Sequence, residues 1–360
     1  MKKFLKIVFI ITVLFCLTLL FSFSAFAEDV IYFPDANFEN AVREVIGKPD
    51  GEIYPSDVGG IINLVVGENI SDLTGIEFFS SLTYLNCIYN NLSELNLSNN
   101  TALERLECWG NKISKLDVSN NTELTDLWCG DNNLSELDVS KNTVLTYLNC
   151  EENNLSKLDV SNNAALENLN VRGNTISELD ISDNTVLTEL NCDDNNLSKL
   201  DVSNNTALKR LSCRYNNLGE LDVSNNPELT TLDCIGANIR SLEISKNFNL
   251  LGLYCNDNNL TKLDVSNNIK LKTLDCSYNN LKKLDISNNP ELKQLRCERN
   301  KLHDGSRTGY DKGTKLIGYD PAVTVDFSFS PQKTFFSQII NFFRMIFTNI
   351  FNAVKSLWNR

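Results

Sequence analysis

Ten cysteines fall on one ruler: Cys87, Cys108, Cys129, Cys150, Cys192, Cys213, Cys234, Cys255, Cys276 and Cys297. Each gap is 21 residues, except that from Cys150 to Cys192, which spans two periods with Val171 at the missing mark. Around each mark runs the frame L-x-x-L-x-C-x-x-N-x-L, as in Leu82, Leu85, Cys87, Asn90 and Leu92. A fixed period of this length predicts a solenoid, in which each turn buries its apolar residues against its neighbours alone.

Every turn also carries a second piece, L-D-V-S-x-N, as in Leu116, Asp117, Val118, Ser119 and Asn121. Both pieces place apolar residues at i and i+2, the period of a strand. Two extended pieces in 21 residues leave no room for an ordinary α-helix, so the turns are expected to be helix-poor, with parallel strands stacked on one face. Asn90, Asn111, Asn132, Asn153, Asn174, Asn195, Asn216, Asn258, Asn279 and Asn300 form a column at the bend. There an amide both donates and accepts for a turned backbone. Ala237 interrupts the column, which predicts the softest turn unless Asn238 substitutes.

The cysteines raise the question of disulfides, because the first 27 residues read as a secretory signal. Lys2, Lys3 and Lys6 precede an apolar run over residues 7–21, and Ala25, Phe26 and Ala27 supply an A-x-A cleavage site. Exported chains usually oxidise their cysteines. Neighbours in register on parallel strands lie ~4.8 Å apart, yet their Cβ vectors run side by side, whereas a disulfide needs a dihedral near ±90°. Buried free thiols acting as small hydrophobes are therefore expected.

Residues 28–60 do not follow the period. Pro34 and Asp35 precede Phe38, Ala41, Val42 and Val45, the apolar spacing of a short helix that caps the first turn. Repeats are expected over 61–302, with the register of the first turn open around Val65, Val66 and Asn69. A closing cap or linker follows over 303–333. Residues 334–360 read as an amphipathic helix, with Phe343, Phe347, Phe351 and Trp358 on its apolar side and Arg344 and Lys355 opposite. Such a helix suits peripheral membrane contact, or a cap on the last turn, or a dimer contact.

Both the frame and the leading segment VIYFPDANFENAVREVIGKPDGEIYPSDVGG resemble the internalin-like leucine-rich-repeat surface proteins of the cysteine-ladder type. The resemblance covers roughly residues 30–302. It implies a leucine-rich-repeat solenoid that is secreted or held at the cell surface and works in adhesion. It further implies a concave strand face that grips a protein or glycoprotein ligand, without catalysis or cofactor. A membrane-associated effector acting through residues 334–360, with the repeats as scaffold, is the alternative.

Side chains at −3, −1, +1 and +2 from each cysteine are expected to point outward from the strands. Trp109 at +1, Trp128 at −1 and Tyr147 at −3 draw a diagonal across successive turns, with Tyr84 and Tyr89 in the turn before. Aromatic residues suit a pleated surface for their own sake, but they are also favoured anchors of interfaces. Glu151 and Arg172 flank the diagonal. One residue before the second-piece leucine, Glu94, Lys115, Glu136, Lys157, Glu178, Lys199 and Glu220 alternate in sign, which reads as register control. The column Asp117, Asp138, Asp159, Asp180 and Asp201 either caps turns or bridges calcium.

Composition excludes more than it assigns. The 33 Lys and Arg, less the three leader lysines, face 46 Asp and Glu, a charge of −16. Such a surface argues against nucleic acid. The only histidine is His303, without a placed partner, so no catalytic site assembles from the sequence.

Overall fold

A computed structural model describes residues 29–67 and 69–300, with the backbone of 315–317 and 324–325. The leader, the helix expected over 334–360 with Phe343, Phe347, Phe351 and Trp358, and His303 lie outside the described residues.

The cap helix α1 spans Ala36–Ile46. Asp35 is its N-cap, with Oδ1 accepting from the N–H groups of Asn37 at 2.9 Å and Phe38 at 3.2 Å. Gly47, at φ 64°, ends it. The other oxygen of Asp35 accepts from the N–H and hydroxyl of Ser71, at 2.7 and 2.9 Å. One carboxylate thus starts the helix and ties it to the first turn, while Phe38 and Val42 close the end of the core.

The first turn's register is settled by its strand, Asn63–Val65, where Val65 pairs with Asn86. Val66, only 4% exposed, takes the thiol's place. The Ile70 N–H reaches Asn90 Oδ1 at 2.9 Å, as the Leu92 N–H reaches Asn111 Oδ1 at 3.0 Å. Val66 to Ile70 is four residues where Cys87 to Leu92 is five, so this turn is one residue short.

Among the described residues thirteen parallel strands form one sheet, from Asn63–Val65 to Thr324–Val325. Leucines pair with leucines, as Leu85, Leu106 and Leu127 do, up to the last pair, where Leu295 meets Val325. The second pieces are extended but pair only in places, at the Asn96–Asp117 and Asp117–Asp138 bridges, in Leu221–Asp222 with Leu242–Glu243, and in Lys283–Asp285 with Lys315–Ile317. Strands 315–317 and 324–325 therefore extend both pieces beyond the last regular turn.

Six apolar side chains per turn fill the core, such as Leu103, Leu106, Cys108, Ile113, Leu116 and Val118. All ten ladder thiols are buried and free, as expected. The bend asparagines bind three ways. Asn111 accepts from Leu92 and donates to the carbonyls of Cys87 at 2.9 Å and Cys108 at 3.0 Å, joining two turns. A second, fully buried column runs from Asn100 to Asn289. Asn121, for example, donates to the carbonyls of Leu97 and Asn100, at 3.1 and 2.8 Å. That column uses the amide for its two donors, which a carboxylate does not supply at neutral pH.

Candidate ligand-binding face

The outward positions of the sheet carry the side chains singled out above. Tyr84 lies under the Arg105 guanidinium, 5.5 Å from its ring centroid. Tyr89, 62% exposed, meets Trp109 edge-on at 4.8 Å. Trp128 and Tyr147 stack at 4.4 Å and 16°. The diagonal is thus two ring pairs side by side: Tyr89 with Trp109 at the bend, and Trp128 with Tyr147 on the strands.

Glycine seats part of it. A Cβ on Gly130 would lie 2.5 Å from Trp109 Cδ1, 2.7 Å from its Nε1 and 3.1 Å from Glu151 Cγ. Trp109 and Glu151, two turns apart, converge because the residue between them in that column has no side chain. Tyr89 similarly lies across Gly110, with a ring atom 2.9 Å from its would-be Cβ. Gly110 is at φ 72°, and each cysteine turn has a left-handed residue two positions after the thiol, among them Tyr89, Asp131, Glu152 and Tyr215. That conformation aims the side chain along the solenoid axis onto the next turn, as Glu152 lies over Gly173 and Tyr215 over Gly236. The recurrence of glycine there every third turn was the available sequence signal.

The indole N–H groups of Trp109 and Trp128 are buried without an acceptor. The side-chain oxygens of the second asparagine column, Asn100 and Asn121 among them, are buried without a donor in the same way, so such atoms are not peculiar to this patch.

The flanking charges divide into two groups. Arg172 pairs with Glu152 at 3.3 Å and Asp194 at 3.4 Å, and is therefore neutralised at the bend. It does not pair with Glu151, whose oxygens accept from the amides of Asn170 at 2.9 Å and Asn149 at 3.4 Å. Farther along, Arg214 bonds Asp233 and faces Asp193 at 3.8 Å. Asp193 and Asp233 are 6% and 5% exposed, and burial lifts both carboxyls above their ordinary pKa despite the bonds they accept. From the sequence Asp193 and Arg214 read only as charges on the outward face; the burial of Asp193 in a triad with Arg214 and Asp233 comes from the fold.

On the other flank, the aspartate column caps turns. Asp117 Oδ1 accepts from the Ser119 N–H at 3.0 Å, Asp138 from Ser140 and Asp201 from Ser203. These bonds hold the carboxyls below their ordinary pKa, and Lys115 and Lys199 add to the effect at Asp117 and Asp201. Those lysines thus act on their own turns, and the ion pairs lie elsewhere, as at Arg210–Glu189. Among the described residues no group of three metal-ligating side chains converges.

A parallel sheet with one short strand per 21-residue turn, an asparagine column at the bend and a helical cap defines a leucine-rich-repeat solenoid. The functional domain of InlJ from Listeria monocytogenes, which includes a cysteine ladder, is 35% identical over 76% of this chain and 71% of that one, with a TM-score of 0.61. This chain belongs to the internalin family. The internalin InlF of the same organism is 25% identical, covers 85% of this chain and 100% of its own, and gives a TM-score of 0.75. A leucine-rich-repeat protein of Leptospira interrogans, 21% identical, shares the fold over 74% of this chain and 75% of that one, with a TM-score of 0.63. No family profile matches the chain, and no curated protein does.

Proposed function

We propose that the protein is an exported adhesin-like binding protein, which takes a protein or glycoprotein ligand on the concave strand face around Tyr84, Tyr89, Trp109, Trp128 and Tyr147. The observation that carries this reading is the outward aromatic cluster, in which an exposed Tyr89 meets Trp109 edge-on and Trp128 stacks on Tyr147. Family membership supports the surface location and the binding role. Glu151 and Arg172 edge the patch in adjacent turns, each one position after the ladder residue. No catalytic constellation is proposed: the carboxyls and thiols with shifted pKa serve caps, the core and ion pairs.

The test is an array of glycans and glycoproteins probed with the protein and with its Trp109→Ala/Trp128→Ala/Tyr147→Ala variant. Ligands bound by the first and lost by the second are the expected result. Equal binding by both moves the site off this face.

A further inference from the structure

We infer that the aromatic patch receives a cationic stretch, lysines or arginines of a protein partner, laid over Trp109, Trp128 and Tyr147 and met by the carboxylates of Asp126 at one end and Glu151 at the other. The inference rests on the concave-face reading and names the chemistry that face selects.

The first ground is that two carboxylates of the patch lack an ion pair, although the field of Asp126 reaches Arg105 in the neighbouring strand. Among the described residues no lysine or arginine nitrogen lies within 4.0 Å of the carboxylate of Asp126 or Glu151. Their bonds come from neutral groups: the Thr125 hydroxyl donates to Asp126 at 2.8 Å, and the Asn170 and Asn149 amides donate to Glu151. The cations around the patch are already engaged. Arg105, in register with Asp126, bonds Glu107 through Nε at 2.8 Å and covers Tyr84. Arg172 is held by Glu152 and Asp194, and Arg210 faces Glu189 at 3.7 Å.

The second ground is the ring geometry. Gly130 lets the Trp109 indole and the Glu151 stem meet just past a strand, and Trp128 ends that strand two residues earlier, stacked on Tyr147. Indole and phenol faces attract cations by ~0.5–2 kcal/mol, more as the cation loses water, and adjacent carboxylates add to the same preference. Burial, then the fields of Glu151, Glu189 and Asp126, push the Tyr147 hydroxyl above its ordinary pKa, although an Asn149 bond opposes this. Three carboxylates thus act on one ring. The acidic charge of the whole chain steers cations toward the protein.

The test uses tetralysine as probe, followed by tryptophan emission at low ionic strength, with tetraglutamate as the control. Saturable change with tetralysine and none with tetraglutamate is expected. Asp126→Asn/Glu151→Gln, which keeps a hydrogen-bond acceptor at both sites, is expected to weaken binding about tenfold, the effect of ~1.4 kcal/mol. Asp180→Asn/Asp201→Asn, on the capping column, is expected to leave it unchanged. Unaltered affinity in Asp126→Asn/Glu151→Gln, or no emission change with tetralysine, overturns the inference. Array ligands that survive Asp126→Asn/Glu151→Gln but not the triple aromatic variant overturn it while leaving the concave-face reading intact.

Discussion

The main-chain N–H of Leu218 donates to the carbonyl of Ala237 at 3.0 Å. In the turns on either side that place is taken by an asparagine side chain, Asn216 for Leu197 at 2.9 Å and Asn258 for Ile239 at 2.8 Å. Asn238 does not substitute: its amide reaches the Asn217 side chain on the surface, at 2.7 Å. The backbone itself rescues the turn, and what is lost is the second donor on each cysteine carbonyl. Cys213 keeps Asn216, and Cys234 keeps Asn258.

The same geometry sets the cost of breaking the column where no rescue exists. In Asn111→Ala, the Cys87 and Cys108 carbonyls retain Asn90 and Asn132, but the buried Leu92 N–H loses its acceptor. An orphaned donor and two weakened bonds predict a loss of about 3 kcal/mol. Urea unfolding measures it, and a loss under about 1 kcal/mol means that the local backbone adjusts as it does at Ala237.

The thiols are predicted to be inert in the folded protein. Burial pushes Cys108 and Cys150 up to about 12, and raises the others as well. A thiol reagent at pH 8 is expected to label none of the ten ladder cysteines until denaturant is added. Disulfides between adjacent turns in the native protein, seen by mass spectrometry, contradict the free ladder.

Acid tests the buried triad. Burial gives Asp193 a folded pKa above its ordinary value of 3.8, with the Asp233 charge adding to the rise and bonds from Ser212 and Arg214 opposing it. The folded state therefore holds that proton more tightly than the unfolded chain does. Stability at this site is lowest above the folded value and grows as pH falls toward 3.8. Relative to Asp193→Asn, which cannot titrate, the wild type is predicted to gain stability over that window. Parallel curves for the two proteins contradict the assignment.

Gly130→Ala tests the seat of Trp109. The backbone there tolerates alanine, but the added Cβ would lie 2.5 Å from the ring. The indole is predicted to move outward, with a red shift in emission and weaker tetralysine binding. Unchanged emission contradicts the seat.

Much of this was legible in the sequence because a solenoid repeats its core. Cys87, Asn90 and Leu92 keep one spacing through the repeats, so their roles followed from the period. The diagonal Trp109, Trp128 and Tyr147 followed from alternation along a strand. What escaped depends on pairs of turns. The convergence of Trp109 and Glu151 requires both residues and the empty column position at Gly130 between them. Arg172 was placed beside Glu151, but the left-handed backbone at Glu152 brings that neighbour to it instead. Short turns and backbone rescues, at Ile70 and Ala237, become visible only once hydrogen bonds are traced.

The central claim is that the open face of the strands, and no other surface, takes the ligand. The most direct measurement compares two variants on the same array ligands. One is Trp109→Ala/Trp128→Ala/Tyr147→Ala on the strands; the other is Glu178→Lys/Glu220→Lys on the opposite flank. Melting temperatures must match those of the wild type to within a few degrees. The account predicts a loss of about a hundredfold or more for the first, as expected of hot-spot aromatics worth ~2–4 kcal/mol, and unaltered affinity for the second. Binding kept by the aromatic variant and lost by the flank variant would contradict it.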